Sequence, residues 1–159
     1  MKNKKTSVLL AISVLLVFIA IFIFSSQTGE KSGNISQNFT GKFLCFFGLT
    51  DSRINHAEHI LRKCAHVVEF ALLGALICML AFRIPKIRDS CYLAMAFSLA
   101  FTVIYAVTDE IHQAFVPGRG PSVWDVLLDG VGALIGISVT MAVRFFILHK
   151  RKNKSRNTH

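Results

Sequence analysis

The chain carries histidines and carboxylates at helical spacing inside segments that are otherwise apolar. His66 and Glu69 are three residues apart, as are Asp109 and His112, so each pair lies on one face of a helix. An imidazole beside a carboxylate can serve as a general acid and base, or can ligate a metal ion through nitrogen and oxygen. Both interpretations require the pairs to converge in the folded protein.

A third pair of acids lies on a face that is built for close packing. Asp125, Asp129, Gly132 and Gly136 recur at steps of 4, 3 and 4 residues, and the two glycines form a GxxxG motif. This face therefore looks at protein and not at lipid. The alternative is that the same motif packs against a second copy of the chain and forms a homodimer.

Three interpretations of the polar residues remain open. They form an internal salt-bridge network, an acid/base site or a metal site; no metal ion or cofactor is assigned. Glu110 lies near a loop and is expected to be solvated or to cap a helix, and the same holds for Gln113 unless it binds a ligand. The candidate catalytic residues are His66, Glu69, Asp109, His112, Asp125 and Asp129, and the candidate binding residues are Lys63, Gln113 and Arg119.

The elements that must position these residues are membrane helices. The chain has 159 residues, 53% of them hydrophobic, which is too apolar for an ordinary soluble domain. A transmembrane helix needs about 20 mostly apolar residues. We predict an all-α, polytopic membrane protein with four transmembrane helices in a single domain, residues 7–148. The predicted spans are about 7–24, 64–82, 90–108 and 123–148, and the second continues a helix that starts near Arg53.

The distribution of charge predicts the orientation in the membrane. Twelve of the eighteen Lys and Arg residues, but only one acid, lie in the N-terminus, the connection between the second and third spans, and the C-terminal region from Arg144. By the positive-inside rule both termini are cytoplasmic, as residues 1–6 and a basic tail, 149–159. The 109–121 connection and an interfacial segment at 35–50 then face outward. Such segregated charge argues for anchoring at an anionic leaflet and against nucleic-acid binding.

The four cysteines contain no pair at zinc-ligand spacing. Free thiols in the membrane are expected, and a Cys45–Cys64 disulfide on the outer side is the alternative.

Two stretches resemble the VanZ family of small bacterial membrane proteins. They read KCAHVVEFALLGALI, from Lys63 to Ile77, and TDEIHQAFVPGRGPSVWDVLLDGVGALIG, from Thr108 to Gly136. Ser25 to Gln27, at the end of the first span, matches a shorter feature of that family. The resemblance covers about 25–146 and implies a location in the bacterial plasma membrane.

The resemblance also implies an association with low-level resistance to teicoplanin, a lipoglycopeptide that binds cell-wall precursor outside the membrane. The expected partners are the lipid bilayer and a lipid-linked cell-wall precursor or the lipoglycopeptide itself. An outward-facing polar site that affects access to envelope lipid or precursor fits this association. The alternative is an intramembrane enzyme that acts on a lipid-linked substrate by acid/base or metal chemistry. A proton-coupled transporter is disfavoured, because the second span has no ionisable residue beyond Glu69.

Overall fold

The computed structural model describes residues 2–26, 51–117 and 120–156, and all regular secondary structure in these ranges is α-helical. The four helices are α1 (Lys2–Ser25), α2 (Asp51–Ala81), α3 (Cys91–Gln113) and α4 (Val123–Arg156). Each contains a segment that is long and apolar enough to cross a membrane. The predicted all-α fold with four membrane-spanning helices is therefore confirmed.

Three of the helices continue well past the apolar spans. α2 starts at Asp51, close to the expected start near Arg53, and α4 runs on through Arg156. α3 ends at Gln113, so residues 109–113 belong to the helix and the connection begins later than predicted, whereas the outward location of this end stays a prediction. Hydropathy marks only the lipid-facing length of a helix, whereas backbone hydrogen bonding continues where polar side chains find protein partners. The predicted interfacial segment, 35–50, lies outside the described residues.

The outer surface of the bundle is apolar. Leu9 on α1 is 63% exposed, and Val68 on α2 and Ile104 on α3 are each 66% exposed. Lipid tails surround such side chains at no cost, because there is no hydrophobic driving force to bury them in a hydrocarbon solvent. Helix association in this protein therefore depends on close packing and on hydrogen bonds between helices.

Close packing is most evident between α2 and α4. A Cβ atom on Gly132 or Gly136 would overlap the backbone carbonyl oxygens of Val67 and Ala71, respectively. The residue numbers rise together along both helices, so α2 and α4 run parallel. The GxxxG motif thus serves packing within the chain, and its face is already covered by α2.

α1 and α3 form the second parallel pair. The Phe18 ring packs edge-on against the Tyr105 ring, with centroids 4.2 Å apart, and the Tyr105 hydroxyl donates a 2.8 Å hydrogen bond to the carbonyl oxygen of Phe18. Further along, the Phe22 and His112 rings stack at 4.5 Å. Phe70 of α2 is fully buried at the centre of the bundle.

The four helices alternate in direction, which places the two chain ends at the same end of the bundle. Near that end, the guanidinium of Arg144 lies over the ring of Phe82, 3.9 Å from the ring centroid. The polar residues of interest lie at the other end, where α1 and α3 finish and α4 begins. That this other end faces outward, with both termini cytoplasmic, stays a prediction.

Candidate functional site

A group of buried polar side chains lies where α1, α3 and α4 meet. Its members, called here the buried polar cluster, are each at most 9% exposed: Ser25, Asp109, Glu110, Gln113 and Asp129. Three of the five are acids. In a membrane protein such groups are costly to bury and are commonly found at functional positions.

Ser25, Asp109 and Gln113 form a closed set of hydrogen bonds. Ser25 Oγ donates to Asp109 Oδ2 at 2.8 Å, and Gln113 Nε2 donates to the same oxygen at 2.7 Å. Gln113 Nε2 also lies 3.3 Å from Ser25 Oγ. The other carboxylate oxygen, Asp109 Oδ1, is buried and accepts no hydrogen bond from the described part of the chain. One oxygen of this carboxylate accepts two hydrogen bonds, and the other accepts none from the described part of the chain.

Negative charge is concentrated around Asp109. Glu110 and Asp129 are buried with it in the same cluster, and Glu69 of α2 and Asp125 of α4 lie nearby. Like charges this close in a poorly solvated site require protons, a cation or a cationic ligand for compensation.

Lys63 of α2 is the cation that pairs with Asp125 of α4, at 2.5 Å between Nζ and Oδ1. Both side chains are about a third exposed, so the pair lies at the edge of the site and water weakens it. Because Lys63 is bound to Asp125, it is not the counter-ion of Glu69. Arg119, the other predicted binding base, lies outside the described residues.

The two predicted histidine–carboxylate pairs have different outcomes. His66 Nδ1 is 4.0 Å from Glu69 Oε2, an ion-pair separation if the ring is protonated but too long for a hydrogen bond. His112 does not pair with Asp109, since its Nε2 lies 3.1 Å from Ser26 Oγ. The hydroxyl hydrogen of Ser26 is donated to the carbonyl oxygen of Phe22 at 2.6 Å, so His112 Nε2 is the donor to Ser26.

Glu110 and Gln113 both face the protein interior. Glu110 Oε1 accepts a 2.6 Å hydrogen bond from the backbone nitrogen of Ser122, just before α4 begins. Of the two expected roles of Glu110, solvation does not hold because the residue is 6% exposed, and its contact with Ser122 fits the capping role. The interpretation of Gln113 as a solvated residue was wrong, because its amide is buried against Asp109.

A family model described as VanZ/LLP1 matches residues 10–146. The chain belongs to the VanZ/LLP1 family. The matched region contains all the candidate catalytic and binding residues predicted from the sequence. No curated protein and no solved structure is significantly similar to the chain.

Ser25 is the residue of this VanZ/LLP1 site that sequence reasoning missed. The Ser25–Gln27 stretch stood out as a family feature, but no role was assigned to it. The available signal was a pair of serines, Ser25 and Ser26, that ends an apolar helix. In the fold, these hydroxyls contact Asp109 and His112, respectively.

Two further buried polar residues of α3, Ser98 and Thr102, do not extend the site of this VanZ/LLP1 protein towards the opposite end of the bundle. The buried hydroxyls of Ser98 and Thr102 donate to the carbonyl oxygens of Ala94 and Ser98 on their own helix. In the described ranges, no group of three His, Cys, Asp or Glu side chains is arranged to hold a metal ion. Cys64, Cys78 and Cys91 carry free thiols, whereas Cys45 lies outside those ranges.

Proposed function

We propose that this VanZ/LLP1 protein is a multi-pass protein of the bacterial plasma membrane that binds an envelope molecule from the outer leaflet. By doing so it lowers susceptibility to the lipoglycopeptide teicoplanin. The ligand site is the buried polar cluster together with Glu69 and the Lys63–Asp125 pair. The observation that carries this proposal is the burial of Asp109 and Asp129, each 4% exposed, at one end of a bundle with an apolar exterior.

The energetic cost of these acids supports a binding role. An ionised side chain costs about 2.5–3.5 kcal/mol at the centre of a membrane helix on insertion scales, and less towards the helix end at which this cluster lies. A packing role would be filled more cheaply by apolar residues, which are neutral or stabilising in place of buried ion pairs. Retaining several acids around Asp109 is therefore explained best by a ligand that compensates their charge.

The charge distribution supports entry of the ligand from the outer side. The basic residues of both termini and of the 83–88 connection favour the cytoplasmic side for the end opposite the cluster. Lipid-linked cell-wall precursor and the acyl tail of a lipoglycopeptide both occupy the outer leaflet. A site at this depth is within reach of either molecule, and occupation of precursor or local lipid would change drug binding.

The test is expression of the chain in a teicoplanin-susceptible bacterium that lacks VanZ/LLP1 proteins. We expect the minimum inhibitory concentration of teicoplanin to rise, with a smaller rise for a glycopeptide that lacks an acyl chain. Asp109→Asn should abolish the rise while the protein accumulates normally. Accumulation is measured by immunoblotting of membranes.

The matched control is Asp89→Asn, the same chemical change at the other end of the bundle. Asp89 is exposed and lies 3.5 Å from Arg88, so this variant should protect as the wild type does. Equal teicoplanin susceptibility with and without the wild-type protein at confirmed expression would refute the proposal.

A further inference from the structure

The two oxygens of the Asp109 carboxylate have unequal surroundings. Oδ2 accepts hydrogen bonds from Ser25 Oγ and Gln113 Nε2, at 2.8 and 2.7 Å. Oδ1 is buried and has no hydrogen-bond partner in the described ranges, although the residue is only 4% exposed. Buried acceptors of this kind are rare, because the lost hydration is not recovered. A donor that none of the described residues supplies would complete the site.

The charges around Oδ1 restrict the chemistry of that donor. Asp109, Glu110 and Asp129 are three buried acids of one cluster, so a further anionic group is disfavoured. A hydroxyl group would supply a hydrogen bond but would leave the negative charge uncompensated. A primary ammonium supplies three N–H donors together with a positive charge, and charge-assisted hydrogen bonds are about twice as strong as neutral ones.

We propose that Asp109 Oδ1 is the atom through which this site binds a primary ammonium group. Ser25 and Gln113 act as positioning residues, since their hydrogen bonds to Oδ2 fix the orientation of the carboxylate. This inference rests on the proposed function, because it names the chemistry of the ligand at the same site. The ammonium group belongs either to the headgroup of an aminophospholipid or to the stem peptide of a lipid-linked cell-wall precursor.

Two pairs of probes test the proposal on the purified full-length protein in detergent. The first pair is phosphatidylethanolamine and phosphatidylcholine with identical acyl chains; both headgroups are cationic at nitrogen, but the first carries three N–H donors and the second three methyl groups in their place. The second pair is lipid-linked cell-wall precursor with the side-chain amine of its stem peptide free or acetylated. Bound molecules are counted by native mass spectrometry over a range of ligand concentrations.

We expect the wild-type protein to prefer the amine-bearing member of one pair by about tenfold or more, the range of a hydrogen bond to a charged group. A preference within the first pair identifies the lipid headgroup as the source, and a preference within the second identifies the precursor. Asp109→Asn should remove this preference, because the amide presents a donor in place of Oδ1. Ser25→Ala should reduce it, and Asp89→Asn should leave it unchanged.

A second measurement separates a binding role for Asp109 from a structural one. Asn keeps one oxygen to accept from Ser25 and Gln113 and removes the repelled charge, so Asp109→Asn should unfold at the wild-type temperature or above it. A marked fall in its unfolding temperature would show that Asp109 is needed for folding and would overturn the proposal.

The wild-type comparison decides the question even if a variant does not accumulate. Absence of a preference in both probe pairs would overturn the inference, and so would a preference that survives in Asp109→Asn. The proposed function is judged separately. If the protein protects against teicoplanin but shows no ammonium preference, the proposed function is supported and the binding inference is wrong. If it shows the preference but gives no protection, the binding inference is supported and the proposed function is wrong.

Discussion

Ser25 at the end of α1 donates a hydrogen bond to Asp109 Oδ2 on α3, across 84 positions of the chain. The two side chains are 0% and 4% exposed, so the bond lies inside the bundle. It attaches the first helix to the cluster on which the proposed function depends. Through this bond, the fold of α1 and the geometry of the site are coupled.

Ser25→Ala should destabilise the protein by about 0.6 kcal/mol, the average for hydrogen bonds between membrane helices, and by about 1.7 kcal/mol at most. The alanine leaves Asp109 Oδ2 with Gln113 as its remaining donor. Stability is measured by unfolding in mixed detergent micelles. The control is Ser13→Ala, since the Ser13 hydroxyl donates to the carbonyl oxygen of Leu9 on its own helix and joins no second helix. Equal effects of the two substitutions would show that the bond to Asp109 contributes nothing to stability.

Gly136→Ala should destabilise the packing of α2 against α4. The added methyl group would overlap the carbonyl oxygen of Ala71, a backbone atom that cannot rotate away. We expect a loss of about 1–3 kcal/mol, the usual cost of overpacking, in the same unfolding assay.

Gly130→Ala is the matched control for that substitution. Gly130 lies on the same helix, and its added methyl group would be 3.9 Å from the side chain of Val103, an ordinary contact distance. This variant should be as stable as the wild type or more stable by up to about 1 kcal/mol, because alanine is the better helix former. If both glycines tolerate alanine equally, the α2–α4 interface is looser than the structure indicates.

Glu69→Gln should accumulate like the wild type but give no protection against teicoplanin. Lys63 is paired with Asp125, so removing the charge of Glu69 does not leave Lys63 without its ion-pair partner. Immunoblotting and the minimum inhibitory concentration together measure the two outcomes. Poor accumulation that is restored by adding Arg119→Gln would instead identify Glu69 as the counter-ion of Arg119.

The comparison variant for Glu69→Gln is Asp125→Asn, which removes the ion-pair partner of Lys63. Because this pair is about a third exposed, the expected loss of stability is about 1 kcal/mol or less. Adding Lys63→Met should restore the stability of the variant.

The predicted topology is tested by accessible thiols. Single cysteines at Ser32 and Gly120 in a cysteine-free background should react with an impermeant thiol reagent applied to intact cells, and one at Ser155 should not. The reason is the excess of Lys and Arg at both termini and in the connection that contains Arg83, Lys86 and Arg88. Labelling at Ser155 from outside would reverse the orientation and move the site to the cytoplasmic face.

The amino-acid sequence by itself determined the class of fold, the four membrane helices and one face of each helix that bears polar residues. These are local properties. Hydropathy over about 20 residues reports whether a helix can span lipid, and a spacing of three or four residues places side chains on a common face. For this reason the polar faces that carry Asp109 and Asp129 could be predicted, although Asp109 itself was placed in the outward connection, and the two motifs around them indicated the family.

Only the tertiary structure decided which side chains on those faces become partners. Helical periodicity gives the face of a residue but not the rotation or the depth of the helix that packs against it. Lys63 could have neutralised Glu69 on its own helix, yet it pairs with Asp125 because α2 and α4 run parallel in close contact. Likewise, Ser25 is far from Asp109 in the chain, and only the parallel packing of α1 and α3 brings its hydroxyl to the carboxylate.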